Sequence, residues 1–276
     1  MTRMKFSLKW VLFWTLPILF GILSLSVGRY NIDLVVQLKI LVSQIIDIEQ
    51  TWTDMEETVV MNIRLPRIIL AMLIGGGLSI AGAAFQGMFA NPLVSPDILG
   101  VSAGSGFGAA LGILLLGHGY GAQVLALVFG VLAIVFTFFI SGMKKEMPVF
   151  MLVLAGVVTS ALFQALISLI KFVADPEDKL PSITYWLMGS LGTATYQDLW
   201  IGGPLIVIGI LILYVLRWRM NILSLSDEEA KSLGISLTKM KWLVILGATL
   251  ITSASVAIAG LIGWVGLIIP HIARML

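Results

Sequence analysis

Uncharged apolar runs separated by polar segments set the plan of this chain: Trp10–Gly28, Ile68–Ala90, Val101–Gly117, Ala122–Gly142, Pro148–Ile170, Leu199–Leu216, Trp242–Ile262 and a shorter Trp264–Ala273. A helix needs about 20 mostly apolar residues to cross a bilayer, so the runs predict seven full crossings and one that stops partway. None alternates with period two. Backbone groups in lipid must bond within their own segment, so the spans read as helices rather than barrel strands. The expected fold is all-α, a polytopic transmembrane helix bundle forming a single domain over residues 1–276. The first run begins with Arg3, Lys5 and Lys9, as secretory signals do. It is long, and no small-residue cleavage site of the A-x-A kind follows, so it reads as a retained helix, with a cleaved signal as the lesser alternative.

The polar segments carry structure of their own. Tyr30–Ile63 contains the apolar stretch Leu34–Ile46, broken by Lys39, which reads as a surface helix; Ala174–Asp198 contains Ile183–Met188, a short interfacial helix. In Arg217–Lys241, Ser226 stands as an N-cap before Asp227, Glu228 and Glu229, and Gly234 as a C-cap after Leu233, which specifies a two-turn helix over roughly Asp227–Leu233. Acids in the first turn suit the positive end of the helix dipole. The exposed face of such a helix suits docking of a soluble partner as well as it suits an ordinary solvated connector. With the N-terminus in the cytoplasm, the inner segments hold eleven of the 17 lysines and arginines and the outer segments six, so the positive-inside rule favours that orientation.

Composition narrows the functional classes. The chain is 59% apolar and 12% charged, with a mean hydropathy of +1.03, against about 45–50% and about 25% for soluble domains. A soluble enzyme and a nucleic-acid reader are excluded, and the bilayer is the expected solvent. The net charge of +2 implies no polyanionic partner. With no cysteine and only His118 and His271, no metal centre or other cofactor is expected.

Two absences point to an energy source elsewhere. No Gly-Lys pair occurs, so there is no Walker A phosphate loop. No Asp or Glu stands in the middle of a span, where proton- and sodium-coupled carriers keep such a group. An ion-coupled secondary transporter is therefore the runner-up, and a permease driven by a separate polypeptide the leading reading. The Gly100-x-Ser102-x-Gly104 match to a nucleophile elbow lacks the strand-to-helix turn it needs. An intramembrane hydrolase would require Ser102 to meet His271.

Small residues mark helix contacts, since lipid-immersed helices associate by close packing. Gly100, Gly104, Gly108 and Gly112 recur every four residues as one stripe, and Gly77 and Gly82 belong to a small-residue face on the preceding span. At the mouth of that span, Arg64-Leu-Pro-Arg67 places Pro66 in a first helical turn. Its two arginines are either snorkelling anchors or charge-assisted docking groups for carboxylates of a partner.

Arg64-Leu-Pro-Arg67, the stretch Gly82–Gly104 with Asn91-Pro-Leu-Val-Ser-Pro-Asp-Ile-Leu-Gly100 inside it, Tyr185-Trp-Leu-Met-Gly-Ser190, and Gly260-Leu-Ile-Gly-Trp-Val-Gly-Leu-Ile-Ile-Pro-His-Ile-Ala-Arg274 resemble, in family order, the FecCD-type permeases. These are membrane subunits of bacterial ABC importers for iron–siderophores, haem and vitamin B12. The resemblance implies a bacterial inner-membrane protein that pairs with itself or a second permease around a central pathway. It also implies two cytoplasmic ATP-binding cassette subunits and an extracytoplasmic substrate-binding protein whose glutamates meet Arg64 and Arg67. The segment Leu223–Ile235 would be the ATPase coupling loop, pushed when ATP closes the ATPases, and the region of Met147–Ala155 would lie at the cytoplasmic gate. Family members continue beyond the Pro270-His-Ile-Ala-Arg274 segment with further spans. The chain is thus expected to be C-terminally truncated relative to the family.

Overall fold

The computed structural model describes residues 2–117, 119–142, 149–220, 222 and 236–275, and its regular structure there is helical throughout. In chain order the elements are α1 (Thr2–Ser26), α2 (Leu34–Ser43), α3 (Asp54–Thr58), a π-helical stretch (Val59–Arg64), α4 (Leu65–Met88), a 3₁₀ turn (Pro96–Leu99), α5 (Val101–Leu116), α6 (Tyr120–Ser141), α7 (Val149–Val173), α8 (Lys179–Met188), α9 (Tyr196–Leu216), α10 (Leu237–Ala259) and α11 (Val265–Met275). Five of the described helices are long and apolar enough to cross a membrane: the continuous Asp54–Met88, then Tyr120–Ser141, Phe150–Val173, Tyr196–Leu216 and Leu237–Ala259.

Helix ends fall where the chain supplies the chemistry to make them. Gly100 (φ 84°) and Gly117 (φ 79°) occupy left-handed backbone at the two ends of α5 and hold it to 16 residues. Gly260 (φ 73°) likewise ends α10 at Ala259, short of the Ile262 that hydropathy suggested. The second apolar run, Ile68–Ala90, was expected to carry Pro66 in the first turn of its helix. Instead the helix starts a dozen residues earlier, because Thr53 and Glu56 form a capping box: the Glu56 amide donates to the Thr53 hydroxyl, and the Thr53 amide donates to Glu56 at 2.8 Å. Pro66 then sits inside a helix, where it withholds an N–H from the preceding turn and presses on its carbonyl. The π-helical turn immediately before it accommodates that mismatch.

At the other end, α4 closes through Ala90 in left-handed backbone (φ 49°), with the Asn91 amide bonding back to the Gln86 carbonyl at 3.1 Å. An L-residue in that conformation costs about 1 kcal/mol that glycine avoids. Ala90→Gly is therefore expected to raise the thermal unfolding midpoint in detergent, and a lowered midpoint would count against this geometry.

The described chain divides into two compact units, residues 1–72 with 192–199, and residues 73–191 with 200–276. In the first, Ile32, Ile40, Trp52 and Val60 form a small core between α2 and the start of the long helix, and the Trp52 indole donates to Glu57 at 3.0 Å. In the second, α10 is the inner helix. It has 72% of its apolar window buried, against 33% for α6, α7 and α9. Its Ala257 packs with Ala109 of α5 and Ala126 of α6, three alanines that let the helices approach. Thr137 of α6 and Thr159 of α7 bring their hydroxyls within 2.8 Å, and the Leu99 and Ala155 carbonyls accept from them at 2.9 and 2.8 Å. These bonds tie the non-helical backbone before α5 to α6 and α7.

Candidate functional site

Arg64 closes the π-helical stretch and is 6% exposed. Its guanidinium donates to the Leu25 carbonyl in the last turn of α1, to the Tyr30 carbonyl in the corner before α2, and to the Gln37 side-chain oxygen on α2 at 3.1 Å. Gln37 is itself buried and donates to the Ile32 carbonyl at 2.7 Å. Gly28 lies against the guanidinium; a Cβ there would come within 2.7 Å of an Arg64 nitrogen. Arg67, three residues on, is half-buried and donates to the Gly192 carbonyl, while its buried Nε finds no acceptor among the described residues. Nearby in the same unit, Asp198 caps the start of α9, accepting from the Thr195 amide at 2.7 Å.

The second cluster of interest joins α4, the turn before α5, and α11. Gln86, 3% exposed, donates to the Leu267 carbonyl at 3.2 Å and accepts from Arg274. Pro270 removes a backbone donor within α11, which leaves the Gly266 carbonyl, four residues back, without its intrahelical partner. Gly82 admits the Gly266 carbonyl so closely that a Cβ would overlap it, and Gly266 lies against Pro96. Asp97 accepts from Ser102 at the start of α5, and its other oxygen faces Gly263 just before α11. Burial pushes the Asp97 carboxyl above its ordinary range, opposed by the Ser102 hydrogen bond. Because Ser102 donates to Asp97, the nucleophile-elbow reading finds no Ser102–His271 hydrogen bond among the described residues.

A cavity of about 530 Å³ opens between α4 and the end of α9, lined by Ile80, Ala84, Gln86, Leu213, Tyr214 and Arg217 among others. The Arg217 guanidinium lies 3.9 Å from the centre of the Tyr214 ring, a cation–π contact that fixes a charge in the cavity lining.

The glycines singled out by spacing occupy different environments. Gly104, Gly108 and Gly112 step along α6, facing Ala133 and Phe129, then Leu125, then Ala122. Gly100 instead makes the left-handed turn against Thr159. Gly77 abuts Ile206 and Ile251 across α9 and α10, whereas Gly75 and Gly76 face open space. Leu223, Ser226, Asp227, Glu228, Glu229, Leu233 and Gly234 lie outside the described residues, as do His118 and Met147.

Sequence reasoning passed over Gln37, Asp97 and the Thr53–Glu56 box. A lone glutamine inside the apolar stretch Leu34–Ile46 and the pattern Thr-x-x-Glu were the available signals.

The sequence pattern of the FecCD transport family matches residues 16–276. A molybdate import system permease protein of Haemophilus influenzae is 40% identical over 261 residues, which are 95% of this chain and 77% of that protein. A hemin transport system permease protein of Yersinia pestis is 33% identical over 225 residues, 78% of this chain and 66% of the relative. A solved structure, described as an inward-facing conformation of a transporter assigned to the metal-chelate type of ABC transporter, superposes with a TM-score of 0.83 at 38% identity. It covers 100% of this chain, which spans 82% of that one.

Proposed function

The chain belongs to the FecCD transport family, and from that premise we propose that it is the membrane-spanning permease subunit of a binding-protein-dependent ABC importer in a bacterial inner membrane, with its N-terminus in the cytoplasm. Its cargo class is a metal chelate or a related metal-containing nutrient: an iron–siderophore, haem, cobalamin, or molybdate or tungstate. Relatives named for molybdate and for hemin support the class. One observation carries the reading: membrane-length helices with neither a nucleotide cradle nor a mid-span carboxylate need power from another polypeptide.

Three surfaces follow from this reading. The Arg64–Arg67 corner is the outer docking site for carboxylates on the substrate-binding protein. The segment about 217–241, with Asp227, Glu228 and Glu229, seats in a cytoplasmic ATP-binding cassette subunit. A second permease copy or a paired permease completes the pathway. ATP-driven closure of the ATPases moves the coupling segment, and the helices tilt so that the pathway changes its open side.

The test uses the full-length permease in vesicles. Alone it is expected to accumulate no solute; with its ATPase partner and binding protein it is expected to do so on addition of ATP. Reversing the charges of Asp227, Glu228 and Glu229 to lysine should release the ATPase on co-purification and remove stimulated turnover. Uphill transport by the permease without an ATPase would refute the proposal.

A further inference from the structure

The sequence treats Arg64 and Arg67 as a pair, but the geometry points to a division between them: we infer that Arg64 is the C-terminal cap of α1 and the clamp of the corner that follows, acting on docking by positioning, while Arg67 is the residue presented to a partner. The second half of this inference rests on the docking reading; the first half does not.

The last carbonyls of a helix have no partner within it and carry the negative end of its dipole. α1 ends at Ser26, and the Leu25 carbonyl accepts from Arg64. A guanidinium there satisfies an orphan acceptor and places a cation where the dipole favours one. The same guanidinium reaches the Tyr30 carbonyl and the Gln37 amide oxygen, so three successive pieces of chain (the end of α1, the corner and α2) converge on one side chain. Gln37 continues the chain of bonds to Ile32, whose side chain belongs to the small core with Ile40, Trp52 and Val60.

The planar fork of five donors suits this task, and lysine, a point charge, does not reproduce it. Every one of these acceptors is a neutral carbonyl. A docking carboxylate would have to reach a side chain that is 6% exposed and displace bonds already made. Gly28 completes the socket by having no side chain: its backbone is not in the left-handed region, so the space beside the guanidinium is what requires glycine. Arg67 differs on each count. It is half-buried, and the bond found for its guanidinium is to one carbonyl, Gly192.

The experiment begins on the unaltered protein. Native permease in detergent is treated with phenylglyoxal, which modifies arginine, and adducts at each arginine are followed by peptide mass spectrometry. Arg67 is expected to react about tenfold faster than Arg64, the factor that a local opening cost of about 1.4 kcal/mol imposes. Equal rates would overturn the inference. Gly28→Ala, which leaves both arginines in place, should expose Arg64 to reagent without changing Arg67; an unchanged Arg64 rate would also count against it.

Hydrogen exchange supplies the positioning readout. Arg64→Gln should speed amide exchange across residues 23–37, Arg64→Lys should restore part of the protection, and Arg67→Gln should leave exchange there as it was. Exchange unaltered by Arg64→Gln sinks the clamp. The docking half is read separately, from binding-protein association with the full-length complex: Arg64→Gln should weaken it without changing its salt dependence, while Arg67→Gln should change both. If neither variant alters association, the docking reading fails and the clamp stands on the labelling and exchange data.

Discussion

Gly108→Ala should cost most of the folded protein, while the same one-methyl change at Gly75 or Gly76 should leave stability unchanged or slightly raised. The three positions are all glycines inside membrane-length or apolar helices, and composition does not distinguish them. Their surroundings do. A Cβ on Gly108 would overlap the Leu125 carbonyl of α6 and lie 2.9 Å from the Phe129 Cβ. The nearest atoms are backbone and a side-chain root, so no flexible tip can swing aside.

The two helices would have to separate, losing contacts along a ladder that also runs through Gly104 and Gly112. Overpacking a tight interior costs typically 1–3 kcal/mol, and a forced helix separation sits at about the upper end of that range or above it. A Cβ on Gly75 or Gly76 would meet nothing within 4 Å among the described residues, so alanine there brings only its better helix propensity, about 0.5–1 kcal/mol. Size-exclusion profile and thermal midpoint in detergent read the contrast. If Gly108→Ala matches Gly76→Ala in both, the close approach of α5 and α6 is wrong.

The spans were legible because lipid leaves so few solutions. An uncharged run of the right length has to be a helix, and the elements Tyr120–Ser141, Val149–Val173 and Tyr196–Leu216 fall close to the runs that announced them. Boundaries set by a single backbone conformation were not legible from hydropathy. Gly260 looks like one more small residue in an apolar run, yet its left-handed φ ends α10.

The four-residue glycine spacing predicted a single stripe. Gly104, Gly108 and Gly112 share one neighbour helix, whereas Gly100 is a turn residue whose place in the spacing is shared but whose task is different. The two arginines show the same limit. A spacing of three puts both on one helix face in a regular helix, but the acceptors that take up Arg64 come from residues 25–37, far away in sequence. No local pattern announces such a socket, although a buried Gln37 in a greasy segment marks one of its walls.

Arg67→Glu is expected to weaken association of the substrate-binding protein with the intact transporter by on the order of 100-fold at low salt, mostly through a slower on-rate. If Arg67 meets carboxylates on that partner, the reversal replaces an attraction with a like-charge contact, and like-charge juxtaposition costs several kcal/mol across an interface. Arg67 is half-buried rather than sequestered, so its field reaches solvent and is screened by salt. Wild-type association should therefore fall as ionic strength rises toward the regime where the Debye length is about 8 Å, while the charge-reversed variant should regain part of its association as the same salt screens its repulsion.

Arg67→Gln should fall between the two, removing attraction without adding repulsion. Arg219→Glu supplies the control for sidedness: it is an exposed cation in the turn after α9, assigned to the cytoplasmic face by the charge bias of the loops, and should leave binding-protein association unaltered. Substrate uptake by proteoliposomes carrying Arg67→Glu should drop in step with association and recover when the binding protein is supplied in large excess, because a docking defect is overcome by mass action and a pathway defect is not. Uptake that stays low at saturating binding protein would move Arg67 out of the docking surface and into the transport machinery itself.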